Sequence, residues 1–473
     1  MPQFIVKRTA TLTEAMKVID HNEHGTVILV NDEHQLVGTV TDGDIRRGIL
    51  DGLDLDSPAD EVMTEDAIYI RESWPRSELT SKIATEKVRE RAGPEGTLVV
   101  PVLDEEHRVV DVVHLSEDGS LAGKTTTAGN GIETVLIIGG AGYLGSVLSR
   151  KLLDRGYEVR VLDSLLYGDH GIQSLYKCER FSFIQGDMRN IETVTQAINR
   201  VDAVVYLGAL VGDPASSINT QKTLEMNYHA ATMAARLCEY HQINRFLFAS
   251  TCSVYGKEDD FEGLFTERSP TNPLSLYAKT KLNSEETILE LADGNFAPTM
   301  LRMATLYGLS SRMRFDLVVN ILSAKAHTEG VVPVFGGEQY RPNVHVADAA
   351  TAFISCLEAP IEDVSGEVFN VGSNEQNYRI IELGKIISEC FPGAEIDHHK
   401  DKEDDRSYKV DFSKIQETLG YDVERSIRDG VHEIRTALEK DELDEYTNTK
   451  YHNYKSLEND VTKLAADGGS GEE

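Results

Sequence analysis

Positive charge is scarce in this chain: 47 lysines and arginines stand against 79 aspartates and glutamates, a formal net charge of −32 over 473 residues. That imbalance argues against a nucleic-acid or anionic-membrane partner, because phosphates demand the opposite sign. Acidity of this degree suits a high-salt cytoplasm, and ordinary acidic enzymes share it. Long apolar runs are missing too. No stretch approaches a membrane span and the opening MPQFIVKRTATLTEAM lacks a signal-peptide core, so the expected location is cytoplasmic. Cysteine is sparse: the five, at 178, 238, 252, 356 and 390, are scattered and include no Cys-x-x-Cys pair. Free thiols in a reducing compartment are the simplest account, with no disulfide framework and no metal site. What the chain does have is length, enough for two or three domains and a substantial apolar core.

The polar segment from Ala122 to Gly131 has the composition of a flexible linker. The expected division is a module at 1–120, a linker at 121–132, a larger domain at 133–440 and an acidic tail at 441–473, whose last dozen residues are expected to be disordered. Two similar units lie upstream of the linker. The first reads as a helix at Leu12–Asp20, a strand at Thr26–Val30, a turn, and a strand at Leu36–Val40. The second reads as a helical stretch near Leu79–Arg89, a strand at Thr97–Leu103, a turn, and a strand at Arg108–Val113. Such a repeat suggests a two-fold module.

Downstream, apolar runs recur at 135–139, 158–163, 180–186, 202–208, 245–251 and 297–303. Amphipathic stretches such as Leu144–Asp154 and Leu224–Tyr240 fall between most of them. Strands alternating with helices predict an α/β fold with a parallel, doubly wound sheet. Gly156 stands where the first of these helices should end.

After the run Val135–Ile138 come Gly139, Gly142 and Gly145 in the spacing G-x-x-G-x-x-G, and Asp163 follows eighteen residues later. Strand, glycine turn and later acid together form a dinucleotide-binding fingerprint. Glycines let the backbone approach a pyrophosphate, and the amides opening the next helix face the anion. A carboxylate at Asp163 suits the adenosine ribose hydroxyls and repels a 2′-phosphate. No arginine or lysine follows in Ser164–Gly168 to receive one, so the expected cofactor is NAD.

Tyr277 and Lys281 stand four apart, which places both on one helix face. A phenol has an unperturbed pKa near ~10, and a neighbouring ammonium stabilises its phenolate. The pair alone usually marks a solvated helix; its value here is its place after the strand Arg245–Thr251. Hydroxyls at the carboxyl end of a central strand lie where such sheets bind ligands, which singles out Thr251.

With those residues in place, the region from about 133 to 440 resembles the extended short-chain dehydrogenase/reductase family, in its nucleotide-sugar epimerase/dehydratase branch. The resemblance implies a Rossmann-type sheet with a smaller C-terminal substrate lobe, mainly from about 309 onward, and a homodimer. It implies that Thr251, Tyr277 and Lys281 are catalytic, and that Gly139, Gly142 and Gly145 cradle the NAD pyrophosphate beside Tyr143 and Leu144. Asp187 and Met188 match a pair that lies against adenine, and Asn227 matches a helix asparagine near the cofactor. Arg341 and Arg406 match arginines that hold the diphosphate of a nucleoside-diphosphate sugar, with Asn320 a further contact. On a chain so acidic, surface ion pairs are the alternative for both arginines. Cys252 and Ser253 stand where dehydratases of the family carry acids, so water elimination is disfavoured. Tyr206 and Thr305 also replace residues common in the family.

The segment Gly38–Arg47 resembles the ligand motif of cystathionine-β-synthase (CBS) domains, so the repeat looks like an α+β CBS pair. That resemblance implies an adenosyl nucleotide, AMP or ATP, with Thr41 and Asp44 on its ribose and Arg46 and Arg47 near its phosphates. A plain helix cap at Thr41 and Asp44 is the alternative. The equivalent place in the second unit, Asp111–Glu117, lacks the pattern.

The leading expectation is an NAD-dependent nucleoside-diphosphate-sugar epimerase acting at C4 through a transient 4-keto sugar, with adenine-nucleotide regulation through the CBS pair. A 4-keto-sugar reductase or dehydrogenase competes with it, a dehydratase less so. An adenylate-sensing or scaffold protein is the reading from another class.

Overall fold

Apolar runs alternating with amphipathic ones build two kinds of sheet here, one in each of two units, residues 1–130 and 131–473. The computed structural model describes residues 4–22, 25–64, 66–71, 97–104, 106–116, 132–256, 263–292, 296–400 and 407–457. The helical stretch expected near Leu79–Arg89 and the linker at 121–132, except Ile132, lie outside those residues.

The first unit shows the repeat in its topology. β1 (Ile5–Lys7) pairs parallel with β2 (Thr26–Val30), which pairs antiparallel with β3 (Leu36–Thr41). β4 (Ile70–Arg71), β5 (Thr97–Leu103) and β6 (Val109–Ser116) repeat that pattern. Both hairpins shift register at the same place, between Leu29 and Val30 and between Val102 and Leu103. Phe4, Ile28 and Val30 pack with Val99, Leu103 and Val109, so the two sheets share apolar contacts.

The second unit holds a seven-stranded sheet built from β7 (Thr134–Ile138), β8 (Glu158–Asp163), β9 (Phe181–Gln185), β10 (Ala203–Tyr206), β11 (Arg245–Thr251), β12 (Ala297–Met303) and β16 (Val368–Val371). The order is β16-β12-β11-β10-β7-β8-β9, with every pair parallel. All seven residues of β11 are buried, as expected of a parallel strand covered on both faces. Separate apolar cores fill the two faces. Leu148, Leu152 and Val161 pack with Phe353 on one, and Leu136, Leu162, Ala231 and Phe246 on the other. Six of these strands were legible as apolar runs, and β16 is an addition. The first helix spans Tyr143–Asp154 and is followed by Gly156 at φ 97°, as its position predicts.

Strand order reverses between β7 and β10, so a crevice opens beyond their carboxyl ends, where open α/β sheets bind ligands. Above it sits a smaller lobe of β13 (Thr305–Tyr307), β15 (Tyr340–His345) and β17 (Asn377–Arg379), with the pair β14 (Val331–Phe335) and β18 (Glu395–His399). Its core joins Tyr307, Val332 and Leu383 to Val431 on the helix Ile427–Glu439. The lobe is not one continuous stretch: between its strands the chain returns to the main sheet as the helix Val346–Glu358 and β16.

The region expected to be a tail from 441 is folded against the domain as far as Leu457. Phe315 N donates to Tyr451 O at 3.0 Å, the two rings meet edge to face, and Leu457 is buried in the core with Phe246. Residues 458–473 lie outside the described set.

Candidate functional site

The crevice is a cavity of about 870 Å³ running from the end of β8 to the smaller lobe. At one end the glycine turn brings the chain close to the loop after β10. Gly139 has φ 85°, and a Cβ there would lie 2.7 Å from Gly208 N. A Cβ on Gly145 would come within 2.6 Å of Gly140 Cα. Gly142, Tyr143 and Leu144 complete this wall, and Gly142 starts the helix without a side-chain cap. Asp163 closes β8 on the same wall; it accepts Ala141 N at 3.0 Å and Leu165 N at 2.8 Å. Burial raises its pKa and the two amides oppose that rise. A cradle that side chains would fill, a helix N-terminus and a carboxylate fit a dinucleotide.

At the middle of the cavity stand Thr251, Tyr277 and Lys281. Thr251 ends β11 and accepts Ser253 N at 3.1 Å. Tyr277 and Lys281 lie on the helix Leu276–Leu289, which Ser275 caps by accepting Ala278 N at 3.2 Å. Lys281 is buried; its Nζ donates to Ala249 O at 2.8 Å and lies 4.5 Å from the Phe248 ring centre. Burial pushes its pKa down to about 7, against the upward pull of the Glu285 carboxylate one turn on. A desolvated ammonium is favoured by an anion placed beside it.

At the far end Arg341 reaches the wall, with Nη1 on Tyr340 O at 2.8 Å and the guanidinium 5.7 Å from the Tyr408 ring. Ser253 Oγ and Tyr408 OH lie 3.4 Å apart, and Thr305 lines the same cavity. Cys252 is buried, its Sγ on Arg302 O at 3.1 Å and its pKa pushed up by burial. It has neither the charge nor the exposure of an acid–base group.

Several residues singled out above do not reach the cavity. Asn320 was expected to touch substrate. It is buried instead, where it accepts Gly308 N at 3.0 Å and donates to Tyr143 OH at 3.1 Å and Arg314 O at 2.9 Å. Its amide satisfies the backbone of the loop after β13. Asn227 is also off the wall: it accepts Leu210 N at 2.7 Å and donates to Leu210 O at 3.1 Å, within a π-helical turn at Glu225–His229. It holds the loop after β10 in place. Met188 lines the cavity, and Asp187 beside it pairs with Arg189, with Nη2 on its carboxylate at 2.7 Å. Tyr206 is buried against Met188 and Met226. Arg406 lies outside the described residues.

In the first unit Thr41 caps the helix Asp42–Leu50. Its Oγ1 donates to Asp44 Oδ2 at 2.7 Å and accepts Asp44 N at 3.2 Å, and Thr41 N reaches the same carboxylate at 2.9 Å. Arg47 pairs with Asp44, and Arg46 with Asp42. The pair is brought together and the helix cap is made.

Reading the sequence missed two features. Arg312 and Arg314 line the cavity on the loop after β13, and Asn453 and Tyr454 line it from the C-terminal segment. The run Arg312-x-Arg-x-Asp316 was the available signal for the first; nothing local marks the second.

Comparison with known proteins bears on both units. A family model described as the NAD dependent epimerase/dehydratase family matches residues 135–372, and one described as the CBS domain matches residues 2–51. An uncharacterized UDP-glucose epimerase of Bacillus subtilis is 27% identical over 310 residues, covering 63% of this chain and 95% of that protein. A dTDP-glucose 4,6-dehydratase of an Actinoplanes species is 28% identical over 314 residues, with the same coverage of 63% and 95%. Among solved structures, the UDP-glucuronic acid 4-epimerase of Bacillus cereus, in complex with UDP-glucuronic acid and NAD, superposes with a TM-score of 0.58 at 26% identity, covering 65% of this chain and 99% of that one.

Proposed function

The chain belongs to the NAD-dependent epimerase/dehydratase family, and from that premise we propose that it is a nucleoside-diphosphate-sugar epimerase that inverts C4 through a transient 4-keto sugar. The observation that carries the reading is one cavity lined by Gly139, Gly142 to Gly145, Asp163, Thr251, Tyr277 and Lys281, with Ser253 on its wall and Cys252 buried behind it, where the family resemblance implies an acid in an eliminating enzyme. Glycine turn and Asp163 hold NAD, which when bound supplies a reversible hydride acceptor. Tyr277, as the phenolate, takes the proton of the sugar 4-hydroxyl. Thr251 donates a hydrogen bond to that oxygen, and Lys281 stabilises the phenolate. After the keto-sugar has turned over in the site, Tyr277 returns the proton to the same oxygen and the centre is inverted. Arg341 holds the diphosphate by charge-assisted hydrogen bonds.

Relatives with epimerase and dehydratase names match at similar identity, so the residues after Thr251 support the choice between them. Incubating the purified protein with UDP-, dTDP- and GDP-sugars tests it by proton NMR. An epimer formed without added cofactor is expected. A keto-deoxy sugar with no epimer overturns the reading, and stoichiometric consumption of added NADH favours a reductase. The N-terminal module, with its CBS match, is read as an adenine-nucleotide regulator of a homodimeric enzyme.

A further inference from the structure

Arg312 is only 2% exposed yet forms part of the cavity wall. Its Nη2 donates to Asn453 Oδ1 at 2.7 Å, and its guanidinium stacks 4.5 Å from the Tyr167 ring centre. Its Nε is buried without a hydrogen-bond partner. The carboxylates nearby are engaged elsewhere. Asp316 is clamped by Arg314 at 2.8 and 3.0 Å, and Asp163 accepts two backbone amides. Burial lowers the Arg312 pKa to about 10, with repulsion from Arg314 adding to the effect, so the group stays charged at neutral pH. A desolvated cation with an unpartnered N–H at the wall of a ligand cavity is costly until an anion offsets its charge.

The position identifies the anion. Tyr167 lies four residues past Asp163, and a Cβ on Gly171 would meet Ala141 O at 2.6 Å and Arg312 Cβ at 3.0 Å. Arg312 thus borders the glycine turn at the dinucleotide end. Its partner Asn453 is held by its own N–H on Asp316 Oδ2 at 3.3 Å and by the buried neighbours Tyr451 and Leu457. That segment lies beyond residues 135–372, where the family match ends.

We propose that the Arg312 guanidinium contacts a phosphoryl oxygen of the bound dinucleotide, and that Asn453 is the positioning residue that fixes it there. The C-terminal segment is then part of the cofactor site. This rests on the cofactor reading given above.

Binding to the full-length chain, stripped of nucleotide, tests it by calorimetry with NAD, ADP, adenosine and adenosine 2′-phosphate. Arg312→Gln is expected to weaken NAD and ADP by roughly tenfold to a hundredfold while adenosine changes less than threefold, the scale of one charge-assisted hydrogen bond. Arg312→Lys should recover part of the loss. Asn453→Ala, which keeps the cation, should speed NAD release in stopped-flow about tenfold without moving the adenosine affinity. A loss confined to adenosine 2′-phosphate overturns the proposal, because NAD carries no phosphate at that position. Equal losses on adenosine and ADP, or none on either, overturn the proposal while leaving the cofactor reading in place. A wild-type chain that binds none of these ligands overturns the cofactor reading and the proposal together.

Discussion

Arg302 on β12 donates to Glu285 on the helix Leu276–Leu289, through Nη2 at 2.6 Å and Nε at 3.0 Å, with both side chains buried and Glu285 one helical turn from Lys281. Ser250 and the Tyr255 hydroxyl join the same network. Removing one partner of such a pair strands the other charge. Glu285→Gln is therefore expected to cost about 3–5 kcal/mol in a urea melt. The carboxylate also raises the Lys281 pKa, so its loss lowers that pKa further below about 7. If Lys281 works protonated, the alkaline limb of the pH–rate profile moves to lower pH. A profile that stays in place while stability falls leaves the pair a purely structural role.

Tyr277→Phe removes the proposed proton carrier without disturbing packing. Turnover is expected to fall by about 10²–10⁴-fold, with NAD affinity within a few-fold of wild type. Single-turnover kinetics with the true substrate and NAD titration by fluorescence separate the two effects.

Asp163 carries opposite signs for binding and stability. Burial raises its folded pKa above the ordinary carboxylate range, so the folded chain holds that proton more tightly than the unfolded chain does. Its contribution to stability is full below the unfolded value and is lost as pH rises through the folded one. NAD affinity should move the other way, because only the ionised carboxylate accepts both ribose hydroxyls. Melting and NAD titrations of the nucleotide-free chain from about pH 4 to 7 check both trends.

Arg341→Ala should raise KM for a nucleoside-diphosphate sugar by about tenfold to a hundredfold and leave kcat nearly unchanged. A shift in kcat of the same size would place Arg341 at the reacting centre instead.

Asp44→Ala breaks the capping box at Thr41, at an expected cost of about 0.5–2 kcal/mol. Calorimetry of the full chain with AMP and ATP tests the nucleotide role at the same time. Adenylate binding that survives this substitution removes Asp44 from the pocket.

Short-range pattern carried much of the architecture. The spacing Gly139–Gly142–Gly145 and the acid at Asp163 are set by backbone sterics and strand length, so they could be read directly. The six apolar runs, the hairpins of the repeat, and the Tyr277–Lys281 interval follow from periods of two and of three to four residues. Roles that depend on where a side chain points could not be read this way. Asn320 and Asn227 sit in the right stretches, and their amides are set on backbone groups at Gly308 and Leu210, partners that only the folded chain supplies.

Local covalent geometry and apolar periodicity, both properties of neighbouring residues, determined the parallel sheet, its glycine turn and the position of the phenol and ammonium. Tertiary structure alone decided which charges are desolvated. It buried Arg302 against Glu285, and it brought Asn453 across 141 positions of sequence to Arg312. The reason is that a charge's cost and its partner depend on what excludes water around it, and that is contributed by segments remote in the chain.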